Sequence, residues 1–407
     1  MKKCLICEDE VQTFIDFGRQ PIANGFATEQ ELQKGEYFFN MKVGFCPTCN
    51  MVQLLEQPDR EQMFHENYAF FSSTSSYMKQ HFKDFSQSII DKQKLKNDSF
   101  VVEVGCNDGI MIQNFANANI THLGVEPSKN VAKVAREKGI NVTTEFFDKK
   151  LADDAVAHYG QADAILSANV MCHIPYMHSI LEGIEHLLKE DGIFVFEDPY
   201  VGEIIQKSSY DQVYDEHVFY FSVLSVSFIA QKHNLEVIDA QPQITHGGSM
   251  RYTLAHKGKK EVSSRVYEQL EIEKKIGLDK IDTYKQFEFN VQKSKTDLMH
   301  LLNKLKDENK KVVAYGATSK STTVTNFCGI TAEHISFISD TTPTKHNKFS
   351  PGAHIPILPY EEFRKSNPDY VLLFAWNHAK EIMEKEKDYI KENGIKWILY
   401  IPRLEVI

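Results

Sequence analysis

The chain lacks long apolar runs, lacks an excess of positive charge and has few cysteines, and each shortage removes a class of protein. The longest apolar stretch, Tyr370-Val-Leu-Leu-Phe-Ala-Trp376, is the length of a buried strand, far short of the roughly 20 residues that cross a bilayer. The opening MKKCLICEDE has no apolar core for a secretory leader, so the expectation is a cytoplasmic protein with no membrane partner. Lys plus Arg number 46 against 56 Asp plus Glu, a net charge of −10, whereas an extended nucleic-acid surface needs the opposite balance. Seven cysteines spread over 407 residues, an odd count, do not form a disulfide framework. What remains is a composition with 42% hydrophobic and 25% charged residues, which fits folded domains rather than disorder. The length suggests two to four of them, at roughly 100–200 residues each.

Four of the cysteines are paired by spacing. Cys4-Leu-Ile-Cys7 and Cys46-Pro-Thr-Cys49 are two C-x-x-C units separated by 38 residues. Each can curl two thiolates onto one cation, and two units complete a tetrahedral shell that suits Zn²⁺. A redox dithiol or unligated thiols are the alternatives. A four-thiolate site is closed, so the expected zinc is structural. Gly18, Pro21 and Gly25 supply turns for a small subdomain between the knuckles.

From residue 99 the pattern changes. Ser99-Phe-Val-Val-Glu-Val-Gly105 is a short apolar run ending in a glycine turn, Gly105-Cys-Asn-Asp-Gly109, and a helical stretch follows over 110–118. Strand, glycine turn and helix open a doubly wound α/β sheet. After the next strand, His122–Val125, Glu126 stands roughly 20 residues beyond the first glycine, placed for ribose hydroxyls. The turn is G-x-x-x-G rather than G-x-G-x-x-G, which favours S-adenosylmethionine (SAM) over a dinucleotide, with a plain structural turn as the third option. Expected strands at 162–168 and 192–197, with a helix over 179–188 between them, imply a parallel sheet. Such sheets bind ligands at the carboxyl ends of their strands, where Asn169, Cys172 and His173 fall.

A dense polar stretch follows, Tyr210-Asp-Gln-Val-Tyr-Asp-Glu-His-Val-Phe-Tyr-Phe-Ser222. Tyr214, Glu216 and His217 are the types that remove a proton next to a carbonyl and hold the resulting oxyanion, with Glu216 a candidate to orient the imidazole. A buried polar network around a helix start is the plain alternative. His246-Gly-Gly-Ser-Met-Arg251 suits backbone approach to a polar ligand or a strand-connecting turn. Cys106, Cys172 and Cys328 read as small buried fillers, and His65, His81 and His378 carry no sign of a partner.

Taken together, these stretches resemble the SAM-dependent C-methyltransferases that act on nucleotide-linked deoxysugars. The resemblance is carried by the cysteine knuckles with Gly18-Arg-Gln-Pro-Ile-Ala-Asn24, by Val52-Gln-Leu54 and by Asn67-Tyr-Ala-Phe-Phe-Ser-Ser-Thr-Ser75. It continues through Glu103-Val-Gly-Cys-Asn-Asp-Gly109, Ala168-Asn-Val-Met-Cys-His-Ile-Pro175, Tyr214-Asp-Glu-His217, Tyr220-Phe-Ser222 and His246-Gly-Gly-Ser249. Ala314-Tyr-Gly-Ala317 with Lys320, Pro351-Gly352, Ile355-Pro356 and Ala375-Trp-Asn377 extend it to the C-terminal third. The resemblance implies an α/β chain of three parts: a zinc-binding domain over 1–66, a class I, Rossmann-like methyltransferase domain over 67–255, and a connecting helix with a Rossmann-like domain over 256–407. It implies methylation at C3 of a thymidine diphosphate 4-keto deoxysugar. His217 is the implied base, with Tyr214, Glu216, His173 and Tyr68 beside it. Glu103, Gly105, Asn107, Gly109, Glu126 and Asn169 are the expected SAM residues. His246, Gly247, Ser249, Arg251, Tyr315, Lys320 and Asn377 are the expected substrate residues.

In the C-terminal third the charged stretch 260–309 reads as a solvated connecting helix. A second, smaller parallel sheet is expected from 311 onward, its turn Ala317-Thr-Ser-Lys-Ser321 able to meet a diphosphate through Lys320 and a helix N-terminus. The family shows glycine where this chain has Ser321, and Lys-Gln-Gly where it has Lys345-His-Asn347; both bear on the substrate. The alternative activities are O-methylation of a capsular or other activated sugar, and a binding protein that keeps SAM without catalysis. Phe70, Phe71 and Ser72, Ser73, Ser75 and Ser76 form either a lid or a packed linker.

Overall fold

The computed structural model describes residues 2–58 and 72–407. Its first strands, β1 (Gln12–Pro21), β2 (Phe38–Phe45) and β3 (Val52–Leu54), pair antiparallel. The pairing of β1 slips between Thr13 and Ile15 and again between Asp16 and Arg19. Such a bulge breaks the two-residue alternation, which is how the consecutive Phe14 and Ile15 are both buried.

The long helix Ser76–Gln93, capped by the Ser75 side chain on Met78 N, leads into the central sheet. Its strands are β4 (Phe100–Val104), β5 (Thr121–Val125), β6 (Val142–Thr143), β7 (Ala162–Ala168) and β8 (Leu188–Pro199). The next strand, β9 (Phe219–Tyr220), leaves this sheet and pairs with β3, so the N-terminal sheet takes its fourth strand from far along the chain. Strands β10 (Leu235–Gln243) and β11 (Ser249–His256) then return, giving the seven-stranded order β10-β11-β8-β7-β4-β5-β6. Only β11 runs against its neighbours. The central strands β4 and β7 are buried along nearly their whole length, as befits parallel strands covered on both faces, and β4 buries Glu103 among its valines.

The stretch expected as one solvated helix is two, Ser264–Ile276 and Ile281–Asp307, and only their outer faces are solvated. Tyr284 of the second is fully buried and stacks on Phe45 of β2 at 4.6 Å, with Phe14 of β1 at 5.0 Å. Its aromatic inner face packs it on the N-terminal sheet, which the charge count of the segment concealed.

The last sheet comprises β12 (Val312–Tyr315), β13 (Ile338–Asp340), β14 (Lys348–Phe349), β15 (Pro356–Pro359), β16 (Tyr370–Leu373), β17 (Lys396–Leu399) and β18 (Glu405–Val406). Its order is β14-β15-β13-β12-β16-β17-β18. With seven strands it matches the central sheet in number, and its edge strands β14 and β18 are antiparallel rather than parallel. In both α/β sheets the strand order reverses beside one strand, β4 in the central sheet and β12 in the last. Crevices at such reversals are where α/β sheets hold ligands.

Candidate active site

The four knuckle thiols come together at the far end of the N-terminal sheet. Cys4 Sγ lies 3.5 Å from Cys49 Sγ, and Cys7 Sγ lies 3.3 Å from Cys46 Sγ. All four sulfurs fall within 4.8 Å of one another. A tetrahedron of Zn–S bonds of about 2.3 Å needs sulfurs at such separations, so the donor set fits zinc in both chemistry and spacing. Ile6 N points at Cys4 Sγ (3.4 Å), and His178 Nε2 donates to Ile6 O (2.9 Å), which ties the knuckle to the Met177–Leu187 helix.

A cavity of about 850 Å³ opens where the two reversal points face each other. Ligand sites run from about 300 to 1,000 Å³, so it is roomy enough for more than one small molecule. On the central-sheet side its wall includes Glu103, Gly105, Asn107, Glu126 and Asn169; Tyr214, Glu216, His217 and His173 form the middle; Lys320, Asn377 and His246 close it from the other side.

The loop after β4 is shaped by its glycines. Gly105 has φ +73°, and a Cβ there would sit 2.3 Å from a Val170 methyl. Gly109, at φ +82°, would meet Ile140 at 2.1 Å; it does not reach the cavity, and its part is close packing of the loop. Glu126 accepts from Asn107 N (3.0 Å) and Ser128 N (2.8 Å), and burial raises its carboxyl. Glu103 Oε2 is buried with no hydrogen-bond partner among the described residues, and desolvation raises its carboxyl well above the usual range. An unpartnered acceptor on a cavity wall fits a ligand that brings its own donor. Asn107 Oδ1 accepts from Ser72 N (3.0 Å), and Ser73 Oγ donates to Asp108 Oδ1 (2.9 Å), so the segment before the Ser76–Gln93 helix rests on this loop. Tyr68, Phe70, Phe71 and His65 lie outside the described residues.

Tyr214 Oη and His217 Nε2 are 2.7 Å apart, and His217 Nδ1 is 2.9 Å from Gln212 O. A carbonyl only accepts, so Nδ1 carries the proton. Nε2 is then a bare lone pair that takes the Tyr214 hydroxyl hydrogen. Burial, followed by the neighbouring His173 ring at 5.3 Å, holds His217 well below the usual histidine range, in the neutral form. The orienting role expected of Glu216 is filled by the Gln212 carbonyl. Glu216 Oε1 instead accepts from Asn24 Nδ2 at 2.9 Å, because the turn at 212 folds its backbone under the ring.

Other expected residues are placed elsewhere. Arg251 is consumed by Glu197, to which Nε and Nη2 donate at 3.0 and 2.8 Å, and its guanidinium lies 3.7 Å over Phe85. Burial would raise Glu197, but His81, at 2.8 Å, and Arg251 hold it down to about 2. His81 therefore has a partner that its sequence context did not announce. Ser249 donates to Thr245 O, inside the turn. Tyr315 points to the opposite face of β12, toward Glu386 (3.4 Å) and Trp397. None of Arg251, Ser249 or Tyr315 lines the cavity. Gly247 is required where it is, at φ +91°, since a Cβ would meet the Trp376 ring at 2.5 Å. Lys320 Nζ donates to His246 O (3.3 Å) and sits 4.8 Å over Trp376; burial lowers its pKa. Ser321 stays off the cavity wall: it completes a capping box with Thr318 at the start of the Ser319–Cys328 helix.

Several cavity residues were missed. Asn24, Ser319, Lys345 and His378 all line the wall. Asp211, just behind it, accepts from Trp376 Nε1 (2.5 Å) and Tyr400 Oη (2.6 Å) through the same oxygen, fastening the turn at 210–217 to the last sheet. The available signal was positional: Asn24 ends the Gly18–Asn24 stretch and Trp376 precedes Asn377 in motifs already noted.

Three family models match the chain: a zinc binding domain over residues 4–64, a methyltransferase domain over 75–240 and a C-methyltransferase C-terminal domain over 244–402. C-methyltransferase NovU of Streptomyces niveus is 30% identical over 407 residues, covering 100% of this chain and 96% of NovU. A ubiquinone biosynthesis O-methyltransferase of Thiobacillus denitrificans is 31% identical over 100 residues, 24% of this chain and 42% of its own length. Among solved structures, a SAM-dependent methyltransferase from Clostridium acetobutylicum aligns over 46% of this chain and 94% of its own at 14% identity, with a TM-score of 0.36. The central sheet is the class I methyltransferase fold, which binds SAM, and the clustered cysteines belong to the zinc-binding domain. With its three matched domains and a full-length relative, the chain belongs to the SAM-dependent C-methyltransferase family.

Proposed function

We propose that this chain methylates carbon, at C3, of a thymidine diphosphate 4-keto deoxysugar, with Tyr214 and His217 as the base. The observation that carries the reading is the 2.7 Å contact from Tyr214 Oη to the bare Nε2 of His217, inside a cavity that also holds Glu126 and Lys320. When bound, SAM supplies an electrophilic methyl on a sulfonium and leaves as S-adenosylhomocysteine with the electron pair of the broken S–C bond.

The protein supplies the rest. A proton on C3 is acidic because the pair it leaves delocalises into the 4-ketone. Tyr214 Oη takes that proton as its own passes to His217 Nε2. Gln212 O keeps its bond to Nδ1–H throughout, so the imidazolium has a partner on each nitrogen. The charge created on the buried ring is offset by the enolate formed beside it, an ion pair in place of a lone buried cation. The enolate carbon then takes the methyl and the ketone re-forms. Glu103, Asn107, Glu126 and Asn169 hold the donor, and Lys320 with the N-terminus of the Ser319–Cys328 helix meets the diphosphate. The "C-methyltransferase" in the NovU name supports carbon over oxygen as acceptor.

The test is transfer from ¹³C-methyl SAM to a panel of thymidine diphosphate 4-keto deoxysugars, read by NMR. A methyl on C3 is expected, and a methoxy signal overturns carbon transfer. A His217→Ala protein with near-full turnover removes the base assignment.

A further inference from the structure

The turn that follows β1 enters the active cavity from the zinc-binding part of the chain. Ala23 N donates to Asp215 Oδ1 at 2.8 Å, and Ala23 O accepts from Thr322 Oγ1 at 2.8 Å. Asn24 Nδ2 donates to Glu216 Oε1 at 2.9 Å, and Asn24 Oδ1 accepts from Ser319 Oγ at 3.0 Å. These four bonds join one short turn to the loop carrying His217 and to the cap of the Ser319–Cys328 helix, 192 and 295 residues away along the chain from Asn24. Asn24 lines the cavity, alone among the described residues up to 58.

We infer that Asn24 is a positioning residue for methyl transfer, so that the zinc-binding part is a component of the active site. This rests on the reading above that the base acts from the 214–217 loop. The chemistry of the side chain suits the place. A primary amide is a donor and an acceptor on one rigid plane, and here the donor faces a carboxylate and the acceptor faces a hydroxyl. Glu216 is buried at 5% exposure, and an amide bond to a buried carboxylate is charge-assisted and directional. Aspartate has the shape without the donor, and alanine has neither. The zinc reaches this point through a strand. β1 begins opposite Phe45, next to the ligand Cys46, and ends at Pro21, three residues before Asn24. At about 3.3 Å per residue, its 10 residues carry the order of the knuckle roughly 30 Å to the cavity wall.

The experiment compares full-length, zinc-loaded Asn24→Ala and Asn24→Asp with the wild type. The probes are ¹³C-methyl SAM and a thymidine diphosphate 4-keto deoxysugar, with SAM affinity by calorimetry and hydrogen exchange at residues 213–217. In the Ala protein kcat falls about 10–100-fold. The affinity for SAM stays within about twofold, because its residues lie on other loops. Exchange at 213–217 rises about tenfold while β4 is unchanged. The Asp protein, nearly isosteric, falls further than Ala, since it sets a carboxylate against Glu216. A residue that only fills space gives the reverse order, and that order overturns the inference. So does a kcat within about twofold of wild type in Asn24→Ala, or a loss of SAM affinity that parallels the loss of kcat. If Asn24→Asp does not hold zinc, the Ala protein decides alone. A parallel His217→Ala protein separates the two readings: turnover there ends the base assignment, while the exchange at 213–217 still judges Asn24 without any sugar.

Discussion

Removing one oxygen, in Tyr214→Phe, probes the proposed proton path with the least disturbance of shape. The ring stays, and the lost atom is the donor 2.7 Å from His217 Nε2. Two effects of different size follow. His217 is 4% exposed, so its lone pair loses its donor without gaining water, which costs about 1–3 kcal/mol of stability. For a domain of this size that lowers the melting temperature by roughly 2–4 °C per kcal/mol. The chemical step loses more: without the hydroxyl the base cannot reach C3, and a general base contributes about 10²–10⁴ in rate, roughly 3–5 kcal/mol of barrier. The informative assay separates proton removal from methyl transfer. In D₂O, with S-adenosylhomocysteine in place of SAM, the wild type exchanges the C3 hydrogen of the ketosugar for deuterium. In Tyr214→Phe, exchange and methyl transfer fall together, with SAM affinity within about twofold. Exchange at the wild-type rate in that protein would refute the path, since the proton would then leave by another group. His217 stays neutral near pH 7, so its own titration does not limit the rate there.

Two further outcomes are expected. Stripping zinc with a chelator leaves four thiols packed within 4.8 Å of one another with nothing to hold them; methyl transfer is lost, while SAM affinity, measured by calorimetry, falls much less. Asp198, fully buried, has its carboxyl pushed by burial from 3.8 up to about 8. A raised folded-state pKa gives stability that is present below 3.8 and lost as pH rises through 8. From pH 6.5 to 8 the wild type therefore loses about 2 kcal/mol through this group, and Asp198→Asn removes that contribution while those of Asp215 and Glu273, also raised by burial, remain. His173 and His246, driven by burial from 6.5 down to about 4, shed their remaining unfolded-state protons over the same window and oppose this slope, but they do so equally in both proteins, so the difference between wild type and Asp198→Asn isolates Asp198. Parallel denaturation curves for the two proteins would remove Asp198 as the cause.

The residues readable from sequence were those whose chemistry depends on local spacing. Two C-x-x-C units imply a four-sulfur shell wherever the chain takes them, and Gly105 sits at a turn because φ +73° and the Val170 contact leave no room for a side chain. Residues whose place depends on distant partners were not readable. Arg251 is directly opposite Glu197 in the β11–β8 register, a pairing between strands about fifty residues apart, and it is thereby taken from the cavity. Tyr315 belongs to a strand whose two-residue period sends it to the far face, and a one-residue shift would have reversed the answer. The partner of His217 Nδ1 is a backbone carbonyl, a group with no signature in a list of side chains, so sequence reasoning turned to the nearby carboxylate of Glu216 instead.

The same distinction explains why three sheets are needed for one cavity. The central sheet alone would leave the Tyr210–His217 turn exposed at its carboxyl edge. That turn is instead held from two sides: Asp211 accepts from Trp376 and Tyr400, just beyond β16 and β17 of the last sheet, and Asp215 and Glu216 accept from Ala23 and Asn24, just beyond β1 of the first. Each contact removes a conformation the turn would otherwise sample, and a proton relay 2.7 Å long tolerates few of them. The Trp376 ring that fastens Asp211 also lies against Gly247 and beneath Lys320. On the proposed reading, then, the groups that hold the sugar nucleotide and those that hold the base are fixed by one indole, and a ligand that orders the first also orders the second.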